Sequence, residues 1–232
     1  MNEWVSFRGV RSDTIPNVRV AELPVAPRAQ MRYTKYTVPG RDGSLHVNEG
    51  YDTFELTCKV IVYQDNGDGK YLVNLWASGS GRLISCDDPG RAWIASADGE
   101  VKWERYKTGN KWNDVGIVRW TCQPIKREAV ESEETMTETG TLFNTGTVDS
   151  YPLITVHGSG TCVFSVNGQE ITLTDVVSGT PVMIDCDAGY VYTAAGAAEM
   201  TGDFPVLGEG TNTITITSGV TQLDIRPRWG WL

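Results

Sequence analysis

The stretch 53–63 reads TFELTCKVIVY, and its alternation constrains the chain more than any other feature. Phe54, Leu56, Cys58, Val60 and Val62 fall on one side of a period of two, with Thr53, Glu55, Thr57 and Lys59 on the other. Only an extended strand turns such residues to opposite faces, one buried and one wet. Residues 117–122 repeat the pattern, with Val118, Trp120 and Cys122 on one face. Between these strands lies the one helix candidate, 70–78. There Tyr71/Leu75 and Leu72/Trp76 stand four apart as an apolar stripe, and Gly79 offers a stop. Turns are expected at Gly79-Ser80-Gly81 and Asp88-Pro89-Gly90.

The second half repeats the β signal without a helix. Short apolar runs at 153–156, 162–166, 171–173, 182–184, 191–193, 214–216 and 223–225 are separated by turn residues. Asn167-Gly168 is a two-residue hairpin signal. About seven strands in some 80 residues read as a small antiparallel β-sandwich. The segment 127–149, REAVESEETMTETGTLFNTGTVDS when read through Ser150, is polar and acidic. It reads as a connector between domains 1–126 and 150–232, which could belong to either domain, the N-terminal one included, or as one edge strand with flanking loops. At 232 residues the chain is long enough for two domains, each with its own core. Eight Trp and nine Tyr among abundant Thr, Val and Gly favour strands.

Charge separates three zones. Residues 1–126 carry 17 Lys and Arg against 15 Asp and Glu, 127–149 carry one against six, and 150–232 carry two against eight, which gives −9 overall. A dedicated DNA-binding protein needs clustered cations, and the acidic half argues against one. The acidity reads as solubility. No run approaches the roughly 20 apolar residues of a membrane helix. Met1-Asn2-Glu3-Trp4 lacks the basic start and apolar run of a secretory signal, so retention in the cytoplasm where the chain is made is expected. Five widely spaced cysteines, 58, 86, 122, 162 and 186, fit reduced thiols better than a disulfide framework.

The residues that chemistry would need are sparse. His46 and His157 have no Cys-x-x-Cys or His-x-x-x-His partner spacing and read as surface or turn histidines. There is no G-x-S-x-G elbow, P-loop or G-x-G-x-x-G. Asp65-Asn66-Gly67-Asp68-Gly69 lacks the register and closing Glu of a calcium loop and reads as a turn that caps the helix. Asp185 and Asp187 flank Cys186 at strand spacing, and the strand-end reading outweighs an acid–base pair. No catalytic residue, cofactor or metal site is expected. Trp93, Trp103, Trp112 and Trp120 fall in or near strands, and packing is the commoner use of tryptophan. Tyr192, Trp229 and Trp231 remain the candidates for stacking on a sugar. Pro16, Pro24 and Pro27 mark an arm that resists compact structure and can reach a neighbour in an assembly.

Taken in order, these residues resemble the distal tail proteins of long-tailed bacteriophages (siphophages). In the first block, Val38-Pro39-Gly40-Arg41-Asp42-Gly43 precedes the alternating strand to Val62-Tyr63 and the helix ending at Leu75-Trp76. Then come Gly79-Ser80-Gly81-Arg82-Leu83, Asp87-Asp88-Pro89-Gly90-Arg91 and Trp120-Thr121-Cys122-Gln123-Pro124. In the second, Tyr151-Pro152-Leu153-Ile154 leads to Val166-Asn167-Gly168, Ile184-Asp185-Cys186 and Tyr192. It closes on Gly202-Asp203-Phe204-Pro205-Val206-Leu207, Gly210-Thr211-Asn212 and Pro227-Arg228-Trp229. The resemblance implies a mainly β fold. An N-terminal β-sandwich or split-barrel belt domain with one short helix would be followed by a galectin-like sandwich. It implies a homohexameric ring in the virion tail tip, assembled in the host cytoplasm, that joins the tail tube to the baseplate or hub and passes DNA without gripping it. The implied partners are the major tail tube protein, the tail-associated hub and tape measure proteins, and a receptor-binding protein. A host glycan is the alternative ligand. Pro24, Pro27, Pro39, Arg41 and Asp42 are the candidate ring contacts. The sugar-binding module inserted in some members has no counterpart in this chain. The polar His/Asn/Arg set that galectins place before a Trp is not found in 150–232, so the fold does not imply lectin activity.

Overall fold

The computed structural model describes residues 3–63 and 68–232, and the chain divides into two compact units, 1–129 with Leu232, and 130–231. The fold is mainly β, with one α-helix among the described residues. The first unit contains strands β1 (Val5–Phe7), β2 (Val10–Arg11), β3 (Val18–Glu22), β4 (Met31–Tyr36), β5 (Leu45–Tyr51) and β6 (Phe54–Tyr63). After helix α1 (Asp68–Trp76) come β7 (Ser78–Ser85), β8 (Arg91–Asp98), β9 (Lys102–Thr108), β10 (Lys111–Cys122) and β11 (Lys126–Glu128). An antiparallel sheet runs β2-β1-β7-β8-β10-β6-β3, with β9 on β10 and β11 on β8.

The alternation in β6 buries Leu56, Cys58, Val60 and Val62 as the sequence requires, opposite Val118 and Trp120 of β10. Trp120 is fully buried between Phe7 and Trp76, at ring distances of 5.8 and 5.5 Å, both edge-on. Each fully buried Val, Leu or Phe contributes roughly 1.5–3 kcal/mol through apolar burial.

The helix departs from the expected 70–78. It starts two residues earlier and turns Gly69, Val73 and Trp76 to the core, whereas Tyr71 is 68% and Leu75 57% exposed. Of the expected stripe, the Leu72/Trp76 pair packs on the core beside Val73, and the Tyr71/Leu75 pair does not. The helix ends without Gly79. Ala77 N donates to Val73 O at 2.8 Å, and Gly79-Ser80-Gly81 is not a turn but part of strand β7. The side chain of Arg8 crosses this glycine pair, its Nη1 donating to Ser78 O at 2.7 Å; a Cβ at Gly81 would lie 2.7 Å from Arg8 Cγ. Asp88-Pro89-Gly90 is a turn as expected. Asp65, Asn66 and Gly67 of the helix-capping turn lie outside the described residues.

The second unit comprises β12 (Glu134–Met136), β13 (Gly140–Asn144), β14 (Leu153–Val166), β15 (Gln169–Val176), β16 (Val182–Asp185), β17 (Tyr190–Thr193), β18 (Gly196–Ala197), β19 (Met200–Thr201) and β20 (Gly210–Arg226). Its antiparallel sheet runs β12-β20-β14-β16-β17-β18, with β13 on β20, and β15 on β14 carrying β19. The segment read as a connector thus contributes two strands, β12 and β13, both paired to β20. Leu142 and Asn144 turn inward while most of its other residues face solvent, which is why composition reads it as a linker.

Two pairs of expected short strands are in fact continuous. Runs 153–156 and 162–166 are the ends of β14, and 214–216 and 223–225 lie within β20. The pairing slips between His157 and Val163, where both strands bend. Gly158 and Gly219 make the bend possible, because a Cβ at Gly158 would lie 2.3 Å from Gly219 O and 2.5 Å from Cys162 Sγ. Each long strand can therefore serve both halves of one core, from Ile154 and Val156 at one end to Phe164 and Val166 at the other. The Asn167-Gly168 hairpin forms between β14 and β15.

Candidate functional site

The VPGRDG motif sits at the tip of a two-stranded ribbon, β4–β5, that joins no larger sheet. Pro39 and Gly40 occupy the middle of a turn closed by Arg41 N donating to Val38 O at 3.2 Å. Gly40 has φ +79°, the left-handed value that the third position of a Pro-Gly turn demands. Along the ribbon, Thr34 pairs with Val47 and Tyr36 with Leu45 on one face, while Tyr33 stacks on His46 at 4.7 Å on the other. Thr34 Oγ1 donates to Glu49 Oε1, and Arg32 Nη2 donates to Glu49 O at 3.3 Å.

This ribbon has no core of its own. Tyr33, Tyr36 and Leu45 are each more than half exposed, and Met31, Val38 and Val47 are each 44% exposed. An isolated two-stranded hairpin is marginal in water, and large apolar side chains on both faces mark a surface built to be covered. Pro39, Arg41 and Asp42 come together at its exposed tip. Pro24 and Pro27 lie on the irregular segment between β3 and β4; Pro27 is exposed but Pro24 is buried, so its ring is spent on the chain's own packing.

The first unit has a second apolar surface. A groove of about 450 Å³ runs between α1 and the N-terminal strands, lined by Phe7, Val10, Ile15, Pro16, Leu72 and Leu75. Val10 and Leu75 stand 47% and 57% exposed at its rim. The sequence reading placed candidate contacts at the ribbon's tip but missed its apolar faces and the groove. A signal for the ribbon existed: Tyr33, Lys35, His46 and Asn48 alternate with Thr34, Tyr36, Leu45 and Val47 on either side of a Pro-Gly/Asp-Gly turn.

Two carboxylates, Asp114 and Asp185, are engaged structurally. Asp114 is nearly buried and takes a bidentate pair from Arg105 (2.9 and 3.0 Å) with Lys70 at 3.3 Å; the Arg105 hydrogen bonds hold its carboxyl below the usual range. Asp185 receives Arg228 Nη1 at 2.7 Å and Nη2 at 3.1 Å, which likewise lowers it, and its Oδ1 accepts the Asp187 N–H. The Asp185/Asp187 pair therefore closes a strand end. Burial pushes the thiols of Cys58, Cys122 and Cys186 up to about 12, far from a reactive thiolate. Among the described residues no cluster of three or more His, Cys, Asp or Glu is placed to hold a metal ion, and no helix is long and apolar enough to cross a membrane.

Of the sugar-stacking candidates, Trp229 is 5% exposed and packs in the core of the second unit, so its face is unavailable. Trp231 is half-buried and donates Nε1–H to Thr145 O at 3.1 Å. Tyr192 is half-buried and stacks on the more exposed Tyr190 at 5.3 Å.

The Asp-Phe-Pro-x-Leu…Gly-x-Asn run is architectural. Leu207 is fully buried and exchanges two 2.9 Å backbone bonds with Ser150. Asn212, 1% exposed, donates to Gly208 O and Gly210 O and accepts from Asn167 Nδ2 at 2.8 Å.

Compared with solved structures, the chain superposes along its whole length on the crystal structure of the Dit protein of phage SPP1, described as a paradigm of the hub adsorption apparatus in phages infecting Gram-positive bacteria. The TM-score is 0.72, with 15% identity and all of both chains covered. The chain therefore has the distal tail protein fold. Chains in two structures of the activated phage p2 baseplate, with strontium and with calcium, match at TM-scores of 0.40 and 0.42. Each is 8% identical, over 97% of this chain and 97% and 98% of theirs. No family model and no curated protein matches the sequence.

Proposed function

We propose that this chain is a structural protein of a phage tail tip, one of six identical subunits of a ring that joins the tail tube to the baseplate or hub. The observation that carries this reading is the ribbon β4–β5 and the groove beside α1: two different apolar surfaces on one unit. A closed ring with one subunit per step needs a heterologous contact, in which a patch on one copy meets a different patch on the next. The exposed Tyr36, Val38, Leu45 and Val47 would enter the groove of a neighbour, with Pro39, Arg41 and Asp42 at the leading tip and Pro27 on the arm behind it. The full-length likeness to SPP1 Dit supports the same assignment.

Charge favours one arrangement of the ring. The first unit carries 18 basic and 16 acidic residues, the second two against 13. Six surfaces of net charge near −11 repel when packed together, so the near-neutral units make the ring contacts. DNA would pass the channel without specific binding. The partners are the tail tube, tape measure, tail-associated and receptor-binding proteins, and the role needs no active site or cofactor. Native mass spectrometry with negative-stain imaging tests this: the expected species is six times 25.5 kDa with a central hole. A chain that stays monomeric at micromolar concentration, alone and with its tail tube protein, overturns it.

A further inference from the structure

The bends that fold the second unit over its core leave a small polar cavity at its surface. Its volume is about 200 Å³, and His157, Ser159, Ser178, Thr180 and Thr221 line it. His157 and Ser159 come from the bend of β14, Thr221 from the bend of β20, and Ser178 and Thr180 from the loop between β15 and β16. That loop is closed by Thr180 N donating to Val177 O at 3.0 Å. Five polar residues from three segments thus line one cavity, four of them bearing hydroxyls. No Lys, Arg, Asp or Glu lines the cavity among the described residues.

The imidazole is held from behind. His157 Nε2 lies 2.9 Å from Asp224 Oδ2, and Asp224 is also fixed by Thr135 Oγ1 at 2.7 Å and by Gln222 Nε2 at 2.8 and 2.9 Å. Burial pushes the Asp224 carboxyl up, but these hydrogen bonds outweigh it and leave it below the usual range. An ionised carboxylate only accepts, so the Nε2–H of His157 is committed to Asp224 and the ring is held in one orientation. The backbone is pinned as well, with Thr221 Oγ1 donating to His157 O at 3.2 Å.

The geometry points to a binding site for a single neutral sugar ring. Hydroxyls that both donate and accept, beside an imidazole held in one orientation, match vicinal sugar hydroxyls, which also do both. Cations that would recognise phosphate or carboxylate do not line the cavity, and the charge of the unit, two Arg against 13 acids, repels anions. The cavity is below the roughly 300 Å³ at which sites for larger ligands begin. The site is distinct from the Tyr190/Tyr192 stack, and it does not rest on the ring assignment, because it lies within the second unit alone.

Saturation-transfer difference NMR on the full chain tests it with D-glucose, D-galactose and N-acetyl-D-glucosamine, and with inorganic phosphate followed by phosphorus line width. The expected result is saturable transfer to at least one sugar. The double variant Ser178→Ala/Thr180→Val should weaken it at least tenfold at unchanged thermal melting, and Tyr190→Ala should leave it intact. Absence of saturable transfer up to about 100 mM for all three sugars overturns the proposal. So does loss of the signal in Tyr190→Ala with retention in the double variant, or binding of phosphate in place of sugar. Subunit count, read separately by native mass spectrometry, keeps a failure here apart from a failure of the ring.

Discussion

The two units solve the same packing problem to different degrees. The second closes on itself: its long strands bend over one core, its conspicuous asparagines are buried in hydrogen bonds, and its charges are nearly all acidic. The first buries an equally well-formed core around Trp120 yet leaves a two-stranded ribbon and a groove uncovered, both apolar. A domain that must work alone cannot tolerate such surfaces, whereas one that is completed by a neighbour requires them. The difference is one of arrangement: the first unit gathers exposed apolar side chains on one ribbon and around one groove, whereas those of the second, among them Phe143, Val177 and Tyr190, lie on separate strands and loops.

Breaking the first unit's contacts is expected to have the largest effect. Tyr36→Glu with Val47→Glu places two charges in the proposed interface. At about 2 kcal/mol or more for each hot-spot side chain, self-association should weaken by roughly a thousandfold. Both residues are exposed in the monomer, so melting of the isolated chain should shift by only a few degrees. Sedimentation velocity beside a calorimetric scan separates the two readouts. A double variant that still forms the six-subunit species removes the ribbon from the contact.

The converse lesion lies in the second unit. Leu207→Ala removes a fully buried side chain from the middle of the crossover to β20, a loss of about 2–5 kcal/mol. That unit should melt roughly 10 °C or more lower, while rings still form at temperatures below the new transition. Loss of rings at 20 °C with the second unit still folded would mean that the two units are not independent in assembly.

What the sequence disclosed follows from what a local pattern encodes. The strands at 54–62 and 118–122, the Asn167-Gly168 hairpin and the Asp88-Pro89-Gly90 turn rest on neighbours within a few residues, and each forms where the pattern puts it. Half of the helix stripe followed: Leu72 and Trp76 face the core, whereas Tyr71 and Leu75 do not, because the core that selects between them is built from residues distant in the chain, Phe7 and Trp120 among them. The bends at Gly158 and Gly219 read as gaps between strands, since a glycine that admits another backbone looks like one that ends a strand. Trp229 looks like a terminal, exposed ring and is instead core. For the candidate site, Pro39, Arg41 and Asp42 were legible as a turn. The ribbon's apolar rows were hidden among charged residues, and the groove, assembled from three separated segments, left no local trace.

The smallest expected effect sharpens the comparison through pH. Each unit contains one carboxylate held by arginine at a nearly or partly buried site: Asp114 with Arg105 in the first, Asp185 with Arg228 in the second. Both carboxylates sit below their unfolded value, chiefly because of those hydrogen bonds. A depressed carboxylate stabilises the fold above its unfolded pKa, and that contribution is lost as pH falls through the folded value, below about pH 4. Arg228→Ala should therefore cost the second unit about 1–3 kcal/mol at pH 7, the price of a partly buried carboxylate left unpaired. The difference from the parent should shrink progressively as the pH is lowered from 4 towards 2. The first unit's acid limb, which depends on Asp114, should stay where it is. Thermal melts from pH 7 to pH 2 decide the matter. A deficit that is independent of pH would assign the loss to packing of the Arg228 stem, and a shift of both transitions together would show that the two units unfold as one.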